Sequence, residues 1–308
     1  MSYDYFKSID LQSAFSLAEQ TARLKSPKAK FILDHTVEKH KRGYLNLSFA
    51  YLRWVDDFVD NPNIAVSDKE KLVNRQKFLI QQYAKKHFEE YKLPEEAFLY
   101  HFIEYANKVN AQILINAAKK MVEAIGMDVD RLKGDGIFSE AELNFYINTL
   151  SKALYDIIIY FFLPGQYQSV QNVLTGRFQA RAFMMRDIIE DIDAGFINIP
   201  REDINKFKLD INSIKEKRNL EHWLEKEIDH ILKLLIDEAE EANLLPTKFK
   251  IFMYYSHLYY LPKIFRLKEY SFNPLLAAQQ KKITNELKAY LHSAAFGVKL
   301  FKIEFLKP

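Results

Sequence analysis

The chain has 308 residues, no cysteine, 48% hydrophobic residues and a formal net charge of +3. That charge is too small to imply a nucleic-acid partner, and the missing thiols exclude disulfides and thiolate metal sites and fit a reducing compartment. Only 8 Gly and 9 Pro punctuate it, against 24 Phe and 18 Tyr, so long periodic runs point to an all-α protein.

In chain order, residues 10–25 read as a first helix with Leu11, Phe15, Ala18 and Ala22 on one side, and Pro27 opens a second. A helix over 44–61 stops before Pro62. Ser67-Asp-Lys-Glu70 has the form of a capping box opening a helix to about residue 90. Pro94-Glu95-Glu96 suits another start, for a helix running to Ile125 and closed by Gly126. Residues 133–138 are a loop, and Ser139-Glu-Ala-Glu142 is a second box, opening a helix to Leu163 that Pro164-Gly165 closes. Further helices follow over 166–194, 217–242, 247–268 with a kink at Pro262, and 274–303. No repeat or linker divides the chain, so one domain over 1–308 is expected. The N-terminal stretch carries acids without a continuous apolar run, and no run is long enough to span a bilayer. The tail over 297–308 is too short and charged for an anchor. A cytoplasmic protein, peripheral to a membrane at most, is expected; no oligomeric state is legible.

The chemistry concentrates in YLRWVDDFVDNPN, Tyr51 to Asn63. Asp56 and Asp60 are four residues apart, so on a helix their carboxylates project from one face about a turn apart, with Asp57 beside them. Neighbouring acids in an apolar run repel and lose hydration, so they need compensation, and oxygen-only ligands favour Mg²⁺ over Zn²⁺. Arg53, one turn earlier, can hold an anion beside such a cation. A solvated acidic face would explain one such cluster. RDIIEDIDAGFINIP, Arg186 to Pro200, is a second: Asp187 and Asp191 repeat the spacing, Glu190 lies beside them, Arg186 precedes them, and Gly195 ends the helix. Two such helices suit facing walls of one cavity, with cations bridging them to a diphosphate. The histidines show no zinc-type spacing, and no glycine-rich nucleotide loop is visible.

Arg53, Asp56, Asp57, Asp60, Arg186, Asp187, Glu190, Asp191, Gly195 and Pro200 match two aspartate-rich motifs. In that order, the motifs resemble those of the squalene/phytoene synthases, the head-to-head branch of the trans-prenyl synthases, over residues 30–270. The resemblance implies a class I terpenoid synthase (isoprenoid synthase) helical bundle around a central cavity. It implies Mg²⁺ held by Asp56, Asp57, Asp60, Asp187, Glu190 and Asp191, with Arg53 and Arg186 on the diphosphate. It implies a C15 or C20 prenyl diphosphate as substrate and Tyr146 as the handler of a proton or of the departing diphosphate. Ser26 and Lys30 are the nearest candidates for the family's serine-rich diphosphate element.

The chain departs from the pattern at four positions. Lys152 and Tyr155 stand where the family has glycines, giving either a narrowed pocket with Lys152 as an extra phosphate cation, or an outward lysine and a core tyrosine. Phe183 replaces a metal-binding asparagine. Phe49 replaces a tyrosine, for which Tyr51 is a substitute or simply a buried aromatic. Three functions follow: a head-to-head prenyltransferase, a terpene synthase-like enzyme ionising one prenyl diphosphate, and a non-catalytic relative acting as an assembly factor.

Overall fold

A computed structural model of the chain describes residues 9–88, 91–163, 165, 176–242, 245–279 and 287–294, and it is helical there, with one isolated bridge between Ile137 and Ile197. Two compact units are present, one of Met1–Asp130 with Lys152–Gln171, the other of Arg131–Ser151 with Asn172–Pro308. No helix among the described residues is long and apolar enough to cross a membrane.

In the first unit the helices are α1 (Leu11–Lys25), α2 (Pro27–Thr36), α3 (Lys39–Asp60), α4 (Val66–Ala84), α5 (Glu96–Lys108) and most of α6 (Gln112–Leu132). Helix α3 is the centre, packing on α1, α4 and α5. It buries Leu47, Val55 and Val59 at 0–1% exposure, each contributing roughly 1.5–3 kcal/mol relative to exposure. Facing it, Ala14, Ala18 and Ala22 form the buried stripe of α1, and small residues let two backbones approach. Phe15 then lies across Gly43, where a Cβ would meet its ring at 2.7 Å.

A buried polar knot fixes α3, α4 and α5 together. Glu96 is fully buried at the start of α5. Its carboxylate accepts from Arg75 Nε at 2.6 Å, Arg75 Nη2 at 2.7 Å, Gln76 Nε2 at 2.9 Å and the Lys92 backbone N–H at 2.7 Å. Gln76 in turn accepts from the Tyr51 hydroxyl at 3.2 Å, reaching the first-motif helix. The acid at the helix start was legible in sequence; its partners were not.

Three expectations are corrected in this unit. Ser67 does not cap α4, which starts at Val66 with Ala65 before it and ends at Ala84, ahead of Lys86 at φ 63°. The long helix expected from Glu96 to Ile125 is two helices. Asn110 adopts φ 54°, and Ala111 N–H reaches back to Ala106 O at 2.8 Å, a left-handed C-terminal turn that asparagine tolerates. Gly126 does not end α6; it lies inside the helix, where a Cβ would meet Lys77 Nζ at 2.8 Å.

Helix α7 (Glu140–Phe162) opens with the expected box: Glu142 N–H donates to Ser139 Oγ at 3.2 Å and Ser139 N–H donates to Glu142 Oε2 at 2.7 Å. In the second unit α8 (Arg177–Arg186) lies against α12 (Glu221–Ala242) and α13 (Thr247–Glu269, with Pro262 inside). Between them run α9 (Ile188–Ala194), α10 (Arg201–Lys206) and α11 (Ile211–Lys215), the last two unexpected from sequence; α14 (Pro274–Gln279) follows. Residues 287–294 are helical, whereas 166–175, 280–286 and the end of the expected last helix lie outside the described residues.

The second-motif helix is not continuous. Asp187 leaves helical geometry at φ −103°, ψ 12°, separating α8 from α9. Both flanking backbone bonds survive: Asp187 N–H donates to Phe183 O at 3.0 Å, and Asp191 N–H to Asp187 O at 2.8 Å. Asp187 and Asp191 therefore remain one turn apart. Gly195 closes α9 at φ 92°, as expected of a glycine C-cap.

Candidate active site

In the first motif, Arg53 reaches forward along α3. Its Nη1 donates to Asp56 Oδ2 at 3.0 Å, its Nη2 donates to Asp57, and Lys25 Nζ stands 2.9 Å from Asp57. Burial works against the guanidinium charge, but Asp56, Asp57 and Asp60 outweigh it and raise the pKa of Arg53. Its Nε–H is buried without a hydrogen-bond acceptor, a spare donor inside an acidic cluster. Asp56 and Asp57 keep about a third of their side-chain surface exposed (36% and 33%), enough for a ligand to reach them.

Sequence reasoning missed Lys69. On α4 it is 2% exposed, and burial lowers its pKa while the neighbouring Asp60 carboxylate works in the other direction. It sits in the run Ser67–Glu70, which reads as a capping box and gives no sign of a buried lysine.

In the second motif, both guanidinium arms of Arg186 donate to Asp187, the bidentate geometry that arginine makes with a carboxylate. Phe183, at the expected asparagine position, lies under that guanidinium, 5.1 Å from ring centroid to carbon, and meets Tyr260 edge-on at 4.8 Å. At this position the ring supports an arginine. Asp191 accepts from Asn198 Nδ2 at 2.7 Å. Glu190 is exposed. Tyr146 is 8% exposed, its ring 5.6 Å from that of Phe138.

The remaining sequence candidates are engaged elsewhere. Lys152 pairs with Asp156, whose side chain is only 3% exposed, and Tyr155 is 1% exposed, so the lysine neutralises a buried acid one turn away. Tyr51 is buried on Gln76, the buried-aromatic role. Lys30 pairs with Asp34.

Half-buried carboxylates with oxygen donors only are the chemistry Mg²⁺ takes. No set of three or more His, Asp or Glu side chains suited to a metal stands together among the described residues. The acids fit the ion in kind, and each motif brings its own arginine for an anion.

An all-α chain carrying two arginine-anchored acidic helices has the architecture of an isoprenoid synthase. The sequence profile of the squalene/phytoene synthase family matches residues 35–286, and the chain belongs to that family. In structure it is similar to a dehydrosqualene synthase crystallised in complex with ligand, with a TM-score of 0.70 and 12% identity over 93% of this chain and 97% of that one. It is also similar to squalene synthase HpnC from Alicyclobacillus acidocaldarius, with a TM-score of 0.65 and 17% identity over 86% of this chain and 96% of that one. At such identities the likeness shows the fold. No curated protein sequence matches significantly.

Proposed function

We propose that the protein is a Mg²⁺-dependent prenyltransferase that joins two C15 or C20 prenyl diphosphates head to head and releases diphosphate. The observation that carries this reading is the pairing of arginine with acid in both motifs, Arg53 on Asp56 and Asp57, and Arg186 on Asp187, in a chain of this family. Members of the family take prenyl diphosphates and generally use a divalent metal.

Asp56, Asp57, Asp60, Asp187, Glu190 and Asp191 would hold Mg²⁺, which would supply positive charge to the leaving diphosphate. Arg53 and Arg186 bind diphosphate oxygens, exchanging a carboxylate partner for a phosphate one; the buried Arg53 Nε–H gains an acceptor. Breaking the allylic C–O bond sends its electron pair to the diphosphate and leaves an allylic cation. The double bond of the second prenyl diphosphate attacks that cation, and loss of a proton from C1' closes a cyclopropane made of C1' and the C2 and C3 carbons of the second substrate. Loss of the second diphosphate, rearrangement of the resulting cation and a further proton loss give the 1'-1 hydrocarbon. Tyr146, buried against Phe138, handles a proton or the departing diphosphate. An apolar product of this kind would call for peripheral contact with a membrane.

Phe183 favours a second reading, ionisation of a single prenyl diphosphate as in a terpene synthase, because it removes an oxygen ligand from motif two. Incubation of the pure protein with Mg²⁺ and C15 or C20 diphosphates separates the two. Diphosphate release with a dimeric hydrocarbon supports head-to-head joining, release with a monomeric terpene supports the second reading, and no release favours a non-catalytic family member.

A further inference from the structure

Asp191 is held by a residue outside its own helix. Asn198 Nδ2 donates to Asp191 Oδ2 at 2.7 Å, and Asn198 Oδ1 accepts from Arg131 Nη1 at 2.8 Å. The amide has one sensible orientation, since the reverse would aim its NH₂ at a guanidinium and its oxygen at a carboxylate. Asn198 is 7% exposed in a segment where Phe196 and Ile199 are also buried. That segment is tied down on both sides: Ile197 N–H donates to Gly136 O at 3.0 Å, and Arg201 N–H to Phe138 O at 3.0 Å. Arg131 is clamped as well. Its guanidinium carbon lies 4.5 Å from the Phe138 ring centroid, 4.6 Å from that of Phe196 and 5.9 Å from that of Tyr146, three cation–π contacts on one cation.

We propose that Asn198 and Arg131 are positioning residues of the second acidic motif, fixing the Asp191 carboxylate in one orientation for a divalent cation. The proposal rests on Asp191 being a cation ligand. An aspartate side chain that must choose a rotamer when the ion arrives loses affinity to that ordering; one already bonded does not. An amide is a neutral donor, so it orients the carboxylate without adding a charge of its own. Arg131, donating into the amide oxygen, polarises the amide and strengthens its bond to Asp191.

The test is Mn²⁺ binding in the presence of inorganic diphosphate, read from the free-ion electron paramagnetic resonance signal, with melting temperature recorded for each variant. Asn198→Leu and Arg131→Met are expected to weaken Mn²⁺ by about 10- to 100-fold, the cost of removing a group that orients a metal ligand. Asn198→Ala is expected to weaken it likewise, because it removes the donor to Asp191 and the acceptor for Arg131 without adding a charge there. On an Asp191→Asn background, Asn198→Leu should add no further loss; a merely structural role would add its full effect there. If Asp191→Asn weakens Mn²⁺ and the Asn198 variants do not, the positioning role is wrong and the ligand assignment stands. If Asp191→Asn binds Mn²⁺ like the wild type, the ligand assignment fails and the proposal with it. Should Asn198→Leu not fold, the smaller, uncharged Asn198→Ala decides alone.

Discussion

Arg53 and Asp56 are joined along one face of α3, with Nη1 of the arginine 3.0 Å from Oδ2 of the acid. The same guanidinium also holds Asp57, so mutual repulsion among these acids is already offset before any ligand arrives. From repulsion alone, removing Asp56 should stabilise the protein. With Arg53 in place, Asp56→Asn should instead cost at most about 1 kcal/mol, the range for a partly exposed pair. Its effect on function should be large: Mg²⁺-dependent binding of a diphosphate analogue, measured by calorimetry, should be lost while melting temperature stays near wild type. Wild-type binding in this variant removes Asp56 from the metal set.

Glu96 gives the first unit an acid-sensitive joint. Burial pushes its pKa up, but hydrogen bonds from Arg75, Gln76 and the Lys92 N–H prevail and hold it below the ordinary 4.5. The unfolded chain therefore takes up this proton before the native state does. The joint contributes full stability above pH 4.5 and loses it as pH falls through the lower native value. Glu96→Ala should cost about 1–3 kcal/mol at neutral pH by removing the acceptor of the bonds from Arg75, Gln76 and the Lys92 N–H. It should also flatten the acid limb of a urea-denaturation pH profile. An unchanged acid limb would mean that other carboxylates dominate it.

Lys152 and Asp156 form the pair that decides what the departure in α7 means. Asp156 is 2% exposed, so Lys152→Met should remove the cation paired with a buried carboxylate and cost about 1–3 kcal/mol. Adding Asp156→Asn should recover part of that loss, which a double-mutant cycle in urea reads directly. If Lys152→Met leaves stability unchanged and weakens diphosphate binding instead, the lysine is a substrate cation. Replacing Lys152 and Tyr155 together by glycine would conflate these effects, because Tyr155 is itself a core residue at 1% exposure.

What was legible in the sequence was local. The Ser139–Glu142 box forms as written because both partners lie within one turn. The similar Ser67–Glu70 pattern fails because the turn after Pro62 starts the helix two residues too early: Asp68 and Lys69 N–H already donate to Ala65 O, so Ser67 is inside α4. Gly126 carried the appearance of a stop, yet it records the close passage of Lys77, a contact from another helix. The acids and arginines of both motifs were found from spacing, since arginine and acid are near neighbours in the chain. Asn198 lay within a motif that was recognised, and its bond to Asp191 spans only seven residues; Arg131 is 67 residues from Asn198, and nothing around it in sequence marks it.

The last prediction concerns how the end of the second motif is braced. Gly136 adopts φ +78°, and a Cβ there would lie 2.1 Å from the backbone oxygen of Gly195, which cannot swing away as a side-chain tip can. Gly195 ends α9 and has φ +92°, but a Cβ on it would meet only Leu132 Cδ2 at 3.3 Å. Gly134 has neither constraint, its nearest neighbour being Arg131 O at 3.6 Å. Replacement by alanine should therefore rank by mechanism. Gly134→Ala should be neutral within about 0.5 kcal/mol. Gly195→Ala should cost about 1–3 kcal/mol, for the left-handed backbone alone. Gly136→Ala should cost more than either, because the collision adds to the same backbone cost and pushes on the chain that leads from Asp191 to Asn198. Urea midpoints give the order, and diphosphate binding should fall with Gly136→Ala under conditions where that variant is still folded. Equal midpoints for Gly134→Ala and Gly136→Ala would show that the loop and the helix end are not braced against each other.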